Sequence, residues 1–422
     1  MQLSSQLSCP ESTRGKLDEW LNYLEQLHPS TIELGLSRCQ LVLNRLQLNF
    51  THLTTITVAG TNGKGTTCRF IEMALLAKGK KVGVYSSPHL SHYAERVRIN
   101  DATLSDNCHC HAFSRVEQAR QDTLLTYFEF GTLAALCLFA ESDLDYLILE
   151  VGLGGRLDAV NCISPDIAVI TGIDLDHQEW LGDNREAIGR EKAGIFRKNG
   201  KVVIGDPDPP QSVIDQANQL NCDAIYQGKD FQYEVNDTHW KWQSSGYSEL
   251  PDLPLPPIPI QNASTAIAAL SLLDENVSRE KLTVLIPKCQ MKGRLHLVQL
   301  ACSVLFDVAH NPQSCAYLAD HIATLTYRRL HFVCAMMSDK HIAESLIDLL
   351  ALNAHWYVCD LPTKRAASAE YMQAKVKSSH NSVTAFSSVG DALTSAQNSA
   401  GEQDLIVVFG SFVTVSLAYD LV

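Results

Sequence analysis

The chain has 422 residues, 45% hydrophobic and 19% charged, with a formal net charge of −13. Its length exceeds one ordinary core, so two domains are expected; the acidic balance and the lack of a long Lys/Arg stripe argue against a nucleic-acid surface, and no apolar run reaches membrane-spanning length. Thirteen scattered cysteines, and an N-terminus (MQLSSQLSCPESTRGKLDEW) with neither the basic start nor the apolar core of a secretory signal, lead us to expect free thiols in a reducing cytoplasm.

Leu17, Trp20, Leu21, Leu24 and Leu27 recur at helical spacing, and Pro29 closes that helix. The stretch Thr54 to Thr67 (TTITVAGTNGKGTT) follows. A β-branched, apolar run ends in Gly60, and a glycine-lysine loop opens a helix whose buried face is Phe70, Ile71, Ala74 and Leu75. Strand, glycine loop, lysine and helix make a phosphate cradle, with backbone N–H groups and the helix N-terminus facing the anion and Lys64 adding a full charge. The loop departs from the usual pattern: Gly60 stands three residues before Gly63, and Gly65 follows Lys64, so Thr66 or Thr67 must supply the hydroxyl. It reads as a nucleotide triphosphate site.

Strand candidates follow at Lys81–Tyr85, Leu144–Glu150, Asp166–Thr171 and Val202–Gly205, with helical segments between most of them, as in a largely parallel sheet covered on both faces. Between the first two, Cys108–His111 (CHCH) offers four adjacent ligand types; adjacent ligands close a tetrahedral site poorly, and a polar loop is expected there. Glu150 ends its strand where ligands of parallel sheets gather, which suits either a Mg²⁺ ligand or a solvated strand end. Gly152 and Gly154 are a poor dinucleotide fingerprint, since Leu157 stands in the third glycine position. Asp174, Asp176 and His177 crowd the end of the next strand, to hold a metal or to form a hydrogen-bonded turn. Asp183 and Glu186 have capping-box spacing, and Lys192 lies further along that helix.

Residues 229–247, with Trp240 and Trp242 alternating with polar residues, read as a hairpin. PDLPLPPIPI (251–260) is expected to be an extended connector, before a helix over Gln261–Asp274. QMKGRL (290–295) looks like a domain junction. Beyond it the alternation restarts with strand candidates Val304–Val308, His331–Met336, Trp356–Cys359 and Leu405–Phe409. LFDVAHNP (305–312) ends a strand with Asp307, His310 and Asn311 before a proline-started helix. The expected fold is α/β: an N-terminal P-loop-type ATP-binding domain with a largely parallel sheet over residues 1–290, and a smaller Rossmann-like domain over 291–422.

The segments AGTNGKGTT, YSSPHL, LEVGLGGRLDAVN, DHQEWLG, REKAGIF, QNASTAIAAL, KGR and DVAHNP occur in the order seen in the Mur ligase superfamily. From about Leu17 to the C-terminus the chain resembles the bacterial dihydrofolate synthase/folylpolyglutamate synthase family. That resemblance implies an ATP-dependent amide ligase, in which a carboxylate attacks the γ-phosphate and glutamate then displaces phosphate from the acyl phosphate. It implies ATP-site positions Gly60, Thr61, Asn62, Gly63, Lys64, Gly65, Thr66, Thr67, Asn262, Arg294, Asp307 and His310, and Mg²⁺ ligands Ser87, Glu150 and His177. Lys64, Lys192 and His177 would be catalytic, with Lys192 matching a lysine carbamylated in many members. Asp158 resembles a pterin contact, and Phe128 lies in TYFEFGT, which resembles a pterin-binding loop. Gln261 precedes Asn262 where the family commonly has proline. The implied partners are dihydropteroate, reduced folates, L-glutamate and ATP, with Mg²⁺ and a monovalent cation such as K⁺, no nucleic acid and no membrane; a monomer is expected.

Three other readings compete. A folylpolyglutamate synthase without dihydropteroate activity shares every motif, although Asp158 leans toward the bifunctional form. A nucleotide-dependent switch needs the loop but not the DVAHNP segment. A dinucleotide-dependent oxidoreductase fails at Gly152.

Overall fold

The computed structural model describes residues 16–28, 30, 32–245, 249–377 and 381–422. Pro29 and the end of the expected hairpin lie outside the described residues. The chain divides into two compact units. Of the described residues, the first unit comprises those up to 88, 93–173 and 178–289; the second comprises 89–92, 174–177 and those from 290 onward.

The first unit is built on an eight-stranded sheet. Its strands are β1 (Thr54–Ala59), β2 (Val82–Tyr85), β3 (Val97–Ile99), β4 (Ala102–Thr103), β5 (Tyr146–Glu150), β6 (Ile167–Ile170), β7 (Lys201–Ile204) and β8 (Asp223–Tyr226), in the order β4-β3-β2-β5-β1-β6-β7-β8. The six strands from β2 to β8 are parallel, and β3 and β4 extend the edge as an antiparallel ribbon. The central strands are buried along their length, as their near-continuous apolar sequences require of a sheet covered on both faces. Helix Lys64–Ala77 buries Phe70, Ile71, Ala74 and Leu75 against β1 and helix Ile260–Leu272 in one apolar cluster. Strand β1 therefore has its exit loop flanked by the carboxyl ends of β5 and β6.

A small antiparallel sheet follows: β9 (Phe231–Val235), β10 (His239–Ser244) and β11 (Leu250–Pro254). Trp240 and Trp242, two residues apart, share one face and are both buried. The proline-rich stretch is not merely a connector. Its first residues form edge strand β11, which tolerates prolines because an edge leaves N–H positions unused, and Pro254 O accepts from Trp240 Nε1 at 2.9 Å.

The second unit carries a six-stranded sheet in the order β12-β13-β17-β14-β15-β16, with β12 (His296–Gln299), β13 (Ser303–Phe306), β14 (Leu330–Cys334), β15 (Ala354–Cys359), β16 (Ser382–Phe386) and β17 (Leu405–Phe409). All neighbours pair in parallel except β12 with β13. Strands β12 and β16 escape sequence reading because, as half-exposed edge strands, they lack a continuous apolar run. Among the described residues no helix is long and apolar enough to cross a membrane.

Candidate active site

The glycine loop leaves β1 and enters its helix at Lys64, with Gly63 as N-cap. Gly63 has φ +88°, and a Cβ there would fall 2.3 Å from Asn262 Oδ1. A Cβ on Gly60 would fall 1.8 Å from Thr171 Oγ1. Both glycines are thus required by close approach. The loop is pinned to the segment after β6: Thr61 N donates to Gly172 O at 2.7 Å, and Thr171 Oγ1 donates to Asn62 O at 2.6 Å. Gly65 and Thr66 lie in the first helical turn, where unpaired N–H groups face outward along the axis. Thr66 Oγ1 donates to Gly63 O at 3.0 Å and accepts from Asn262 Nδ2 at 2.9 Å. Among the described residues, Thr67 Oγ1 is buried without a hydrogen-bond partner.

Two ammonium groups converge on one carbonyl. Lys64 Nζ donates to Gly60 O at 3.0 Å and Thr61 O at 3.1 Å, and Lys192 Nζ donates to the same Gly60 O at 2.8 Å across 132 residues of sequence. Lys192 is 4% exposed, far from the solvated charge expected of a lone helical lysine. Beside this pair, Ser87 N donates to Glu150 Oε2 at 3.3 Å. Glu150, 4% exposed at the carboxyl end of β5, is buried rather than a solvated strand end. A buried carboxylate beside a serine is a hard oxygen donor set of the kind Mg²⁺ takes.

TYFEFGT is the opening of helix Tyr127–Ala140, not a loop; Thr126 and Glu129 form its capping box. The Phe128 ring lies against Gly152, where a Cβ would meet Phe128 Cζ at 2.5 Å, and 6.0 Å from the Tyr85 ring. Asp158 caps a short 3₁₀ turn, accepting from Leu153 N at 2.7 Å and Val160 N at 3.0 Å. Burial pushes its carboxyl up to about 6, against the downward pull of those backbone N–H groups.

In the second unit, Asp307 follows β13 and accepts from Leu295 N and Ala309 N, both at 2.8 Å. Burial raises its pKa, opposed by the charge of Arg294. The Arg294 guanidinium stacks over Phe412 at 5.1 Å. His310 donates from Nδ1 to Val308 O at 2.7 Å, and its Nε2 faces the Asp176 carboxylate. Asn311 caps the proline-started helix Pro312–Ala323. The segment Asp174–His177 belongs to this unit. Asp174 and Asp176 each accept from the next residue's backbone N–H at 2.8 Å, so both acids bond to their own chain locally, and His177 has φ +52°. Asp176 also holds Lys340 Nζ at 2.5 Å and lies 3.6 Å from His310 Nε2. Burial works to raise its pKa, but His310 beside it and the charges of His177 and Lys340 hold it well below the usual carboxylate range.

Two further local expectations are corrected. CHCH lies in helix Asp106–Arg120 with Cys108, His109 and Cys110 buried; the apolar contacts of that face outweigh its polar composition, and His109 packs edge-on to Tyr93 at 5.4 Å. The cap before Lys192's helix is Asn184, which accepts from Ala187 N, not Asp183; Glu186 instead accepts from Gln211 N and Ser212 N. Sequence reading also missed Thr171 and Lys340. A strand-end threonine and a lone lysine carry no local signal, and their partners are 109 and 164 residues away.

Residues 58–249 match the Mur ligase middle domain, and residues 293–412 match the Mur ligase glutamate ligase domain. The dihydrofolate synthase/folylpolyglutamate synthase of Escherichia coli K12 is 44% identical over 407 residues, which cover 96% of this chain and 95% of that protein. The chain belongs to the dihydrofolate synthase/folylpolyglutamate synthase family of Mur ligases. Among solved members of that family, Escherichia coli FolC in complex with DHPP and ADP has a TM-score of 0.93 at 43% identity, covering 98% of each chain. A bifunctional folylpolyglutamate synthase/dihydrofolate synthase with Mn, AMPPNP and L-glutamate bound has a TM-score of 0.91 at 44% identity, covering 98% of this chain and 99% of that one.

Proposed function

We propose that this chain is an ATP-dependent amide ligase that joins L-glutamate to dihydropteroate and adds further glutamates to reduced folates. The observation that carries this reading is the convergence of Lys64 and Lys192 on Gly60 O, beside buried Glu150 and Ser87. A lysine on the phosphate loop serves any nucleotide-binding protein; a second, buried one, delivered from a distant helix, serves group transfer. Residues 1–290 are proposed as the ATP-binding domain with the folate site, and 291–422 as the glutamate-ligase-type domain.

Gly60 to Thr67 cradle the phosphates of ATP, and Lys64 turns from the loop carbonyls to the β/γ-phosphates. Asn262, Arg294, Asp307 and His310 hold the rest of the nucleotide. Phe128 and Asp158 receive the pterin, as an apolar plane and a carboxylate acceptor for ring N–H groups. The acceptor's carboxylate oxygen attacks the γ-phosphorus; a new P–O bond forms as the bond to ADP breaks. The glutamate amine then attacks the acyl carbon, loses a proton and displaces phosphate. In-line transfer of this kind depends on positioning and on neutralising developing charge, which is what the two lysines supply. Ser87, Glu150 and His177 would hold Mg²⁺, which supplies Lewis-acid neutralisation of the phosphate oxygens. K⁺ is the monovalent ion of this reading. A cytoplasmic monomer completes the proposal.

The test is ADP release with MgATP, dihydropteroate and glutamate. The expected result is turnover that requires both acceptor and glutamate, and again when a tetrahydrofolate replaces dihydropteroate. Turnover with tetrahydrofolate alone selects the monofunctional synthase. Steady ATP hydrolysis indifferent to pterin and amino acid would overturn the ligase.

A further inference from the structure

The segment from Gly152 to Asn161 does more than present Asp158. Its middle is seated on the end of the helix that carries Lys192, with backbone against backbone. Arg156 N donates to Glu191 O at 2.7 Å. A Cβ on Gly155 would lie 2.8 Å from Glu191 O, 2.9 Å from Lys192 O and 3.0 Å from Lys192 Cα. From the other side, a Cβ on Gly194 would lie 2.3 Å from Arg156 Cβ and 2.5 Å from Arg156 Cα. Asn161, buried, ties the two strands of chain together: its Nδ2 donates to Arg156 O at 3.0 Å and to Gly194 O at 3.1 Å. Arg197 in turn donates to Asn161 Oδ1 at 2.8 Å. The atoms that block a Cβ are backbone, or a side-chain root, and have no rotamer to escape into.

We infer that Gly155 and Gly194 are positioning residues for Lys192: their missing side chains let the Asp158 loop lock the end of helix Arg185–Ala193, and that lock holds the Lys192 ammonium on Gly60 O. This rests on the reading of Lys192 as a catalytic group for its consequence in rate, but not for its geometry. The Arg156–Glu191 ion pair over the same junction is solvent-exposed on the arginine side and contributes little.

The experiment measures two quantities on the full chain: kcat for glutamate-dependent ADP release, and the rate at which an amine-acetylating reagent labels Lys192, read by peptide mass. In the wild type Lys192 is buried and labels slowly. Gly155→Ala and Gly194→Ala are expected to raise that labelling about tenfold through local opening, and to lower kcat by about 10²-fold with KM for ATP little changed, as misplacement of a catalytic group does. Arg156→Ala, which removes only the ion pair, is expected to leave both quantities within about twofold. If the glycine variants do not fold, Asn161→Ala carries the same measurement, since its amide joins the two segments without touching Lys192. Unchanged labelling of Lys192 in the folded variants overturns the inference whatever the rate. Raised labelling with wild-type kcat upholds the lock and instead refutes the catalytic reading of Lys192.

Discussion

Two strand ends in this molecule solve the same problem by opposite means. The loop after β1 is shaped by what is missing: Gly60 and Gly63 bring backbone within reach of Thr171 and Asn262 where no Cβ fits. The turn after β13 is shaped by what is present: the Asp307 carboxylate holds two backbone N–H groups, and Asn311 caps the next helix. The first holds the Lys64 ammonium on its own carbonyls, Gly60 O and Thr61 O, at the N-terminus of a helix. The second spends its carboxylate on its own main chain. An anion cradle built from glycine tolerates no side chain, whereas a turn built from side-chain hydrogen bonds loses stability in proportion to the bonds removed.

Several substitutions set that contrast at risk. Lys64→Ala should lower kcat about 10³-fold while the melting temperature stays near wild type, because the charge it removes acts on the phosphates and not on packing; wild-type turnover would refute the cradle. Gly63→Ala should cost about 10²-fold in kcat-over-KM for ATP and about 1–3 kcal/mol of stability in denaturant titration, from the positive φ and the clash with Asn262. Asp307→Ala should act more on stability than on rate. Two buried N–H groups lose their acceptor at about 1–3 kcal/mol each, while KM for ATP rises about tenfold; a rate loss larger than that of Lys64→Ala would reverse the comparison.

The smallest effect is a pH dependence at Asp158. Its folded pKa of about 6 lies above that of a free aspartate, so the carboxylate form present above pH 6 gives way to the acid as pH falls through 6. KM for dihydropteroate should therefore rise a few-fold below about pH 6, and Asp158→Asn should flatten the profile at the high-KM level. The linked stability runs the other way. Because folding favours the protonated form, this group's penalty appears as pH rises from the unfolded value toward 6 and is complete above it. A KM that is flat from pH 5 to 8 would remove Asp158 from the pterin site.

The parallel strands and the glycine loop were legible because their signals are local. An apolar run of strand length, or a glycine beside a lysine, has the same meaning wherever it folds. Lys192 shows the limit. Its helix reads as polar, yet the lysine is buried, on a helix end against which the Gly155 segment packs backbone to backbone. Residues 251–254 show the same limit in reverse: five prolines in ten residues speak against regular structure, yet pairing with the Trp240 strand makes the first of them an edge strand. CHCH, polar by composition, lies in a helix whose Cys108, His109 and Cys110 are buried.

From its residues alone the chain determines its class, its nucleotide loop and the order of its motifs, because each depends on neighbours within one strand or turn. Tertiary structure decides which charges are buried and which distant groups meet. Lys192 on Gly60 O, Asn262 on Thr66 and Asp176 on Lys340 are contacts across 132, 196 and 164 residues. No local pattern encodes such contacts, since the free energy that holds each charge in place comes from the packing that closes around it.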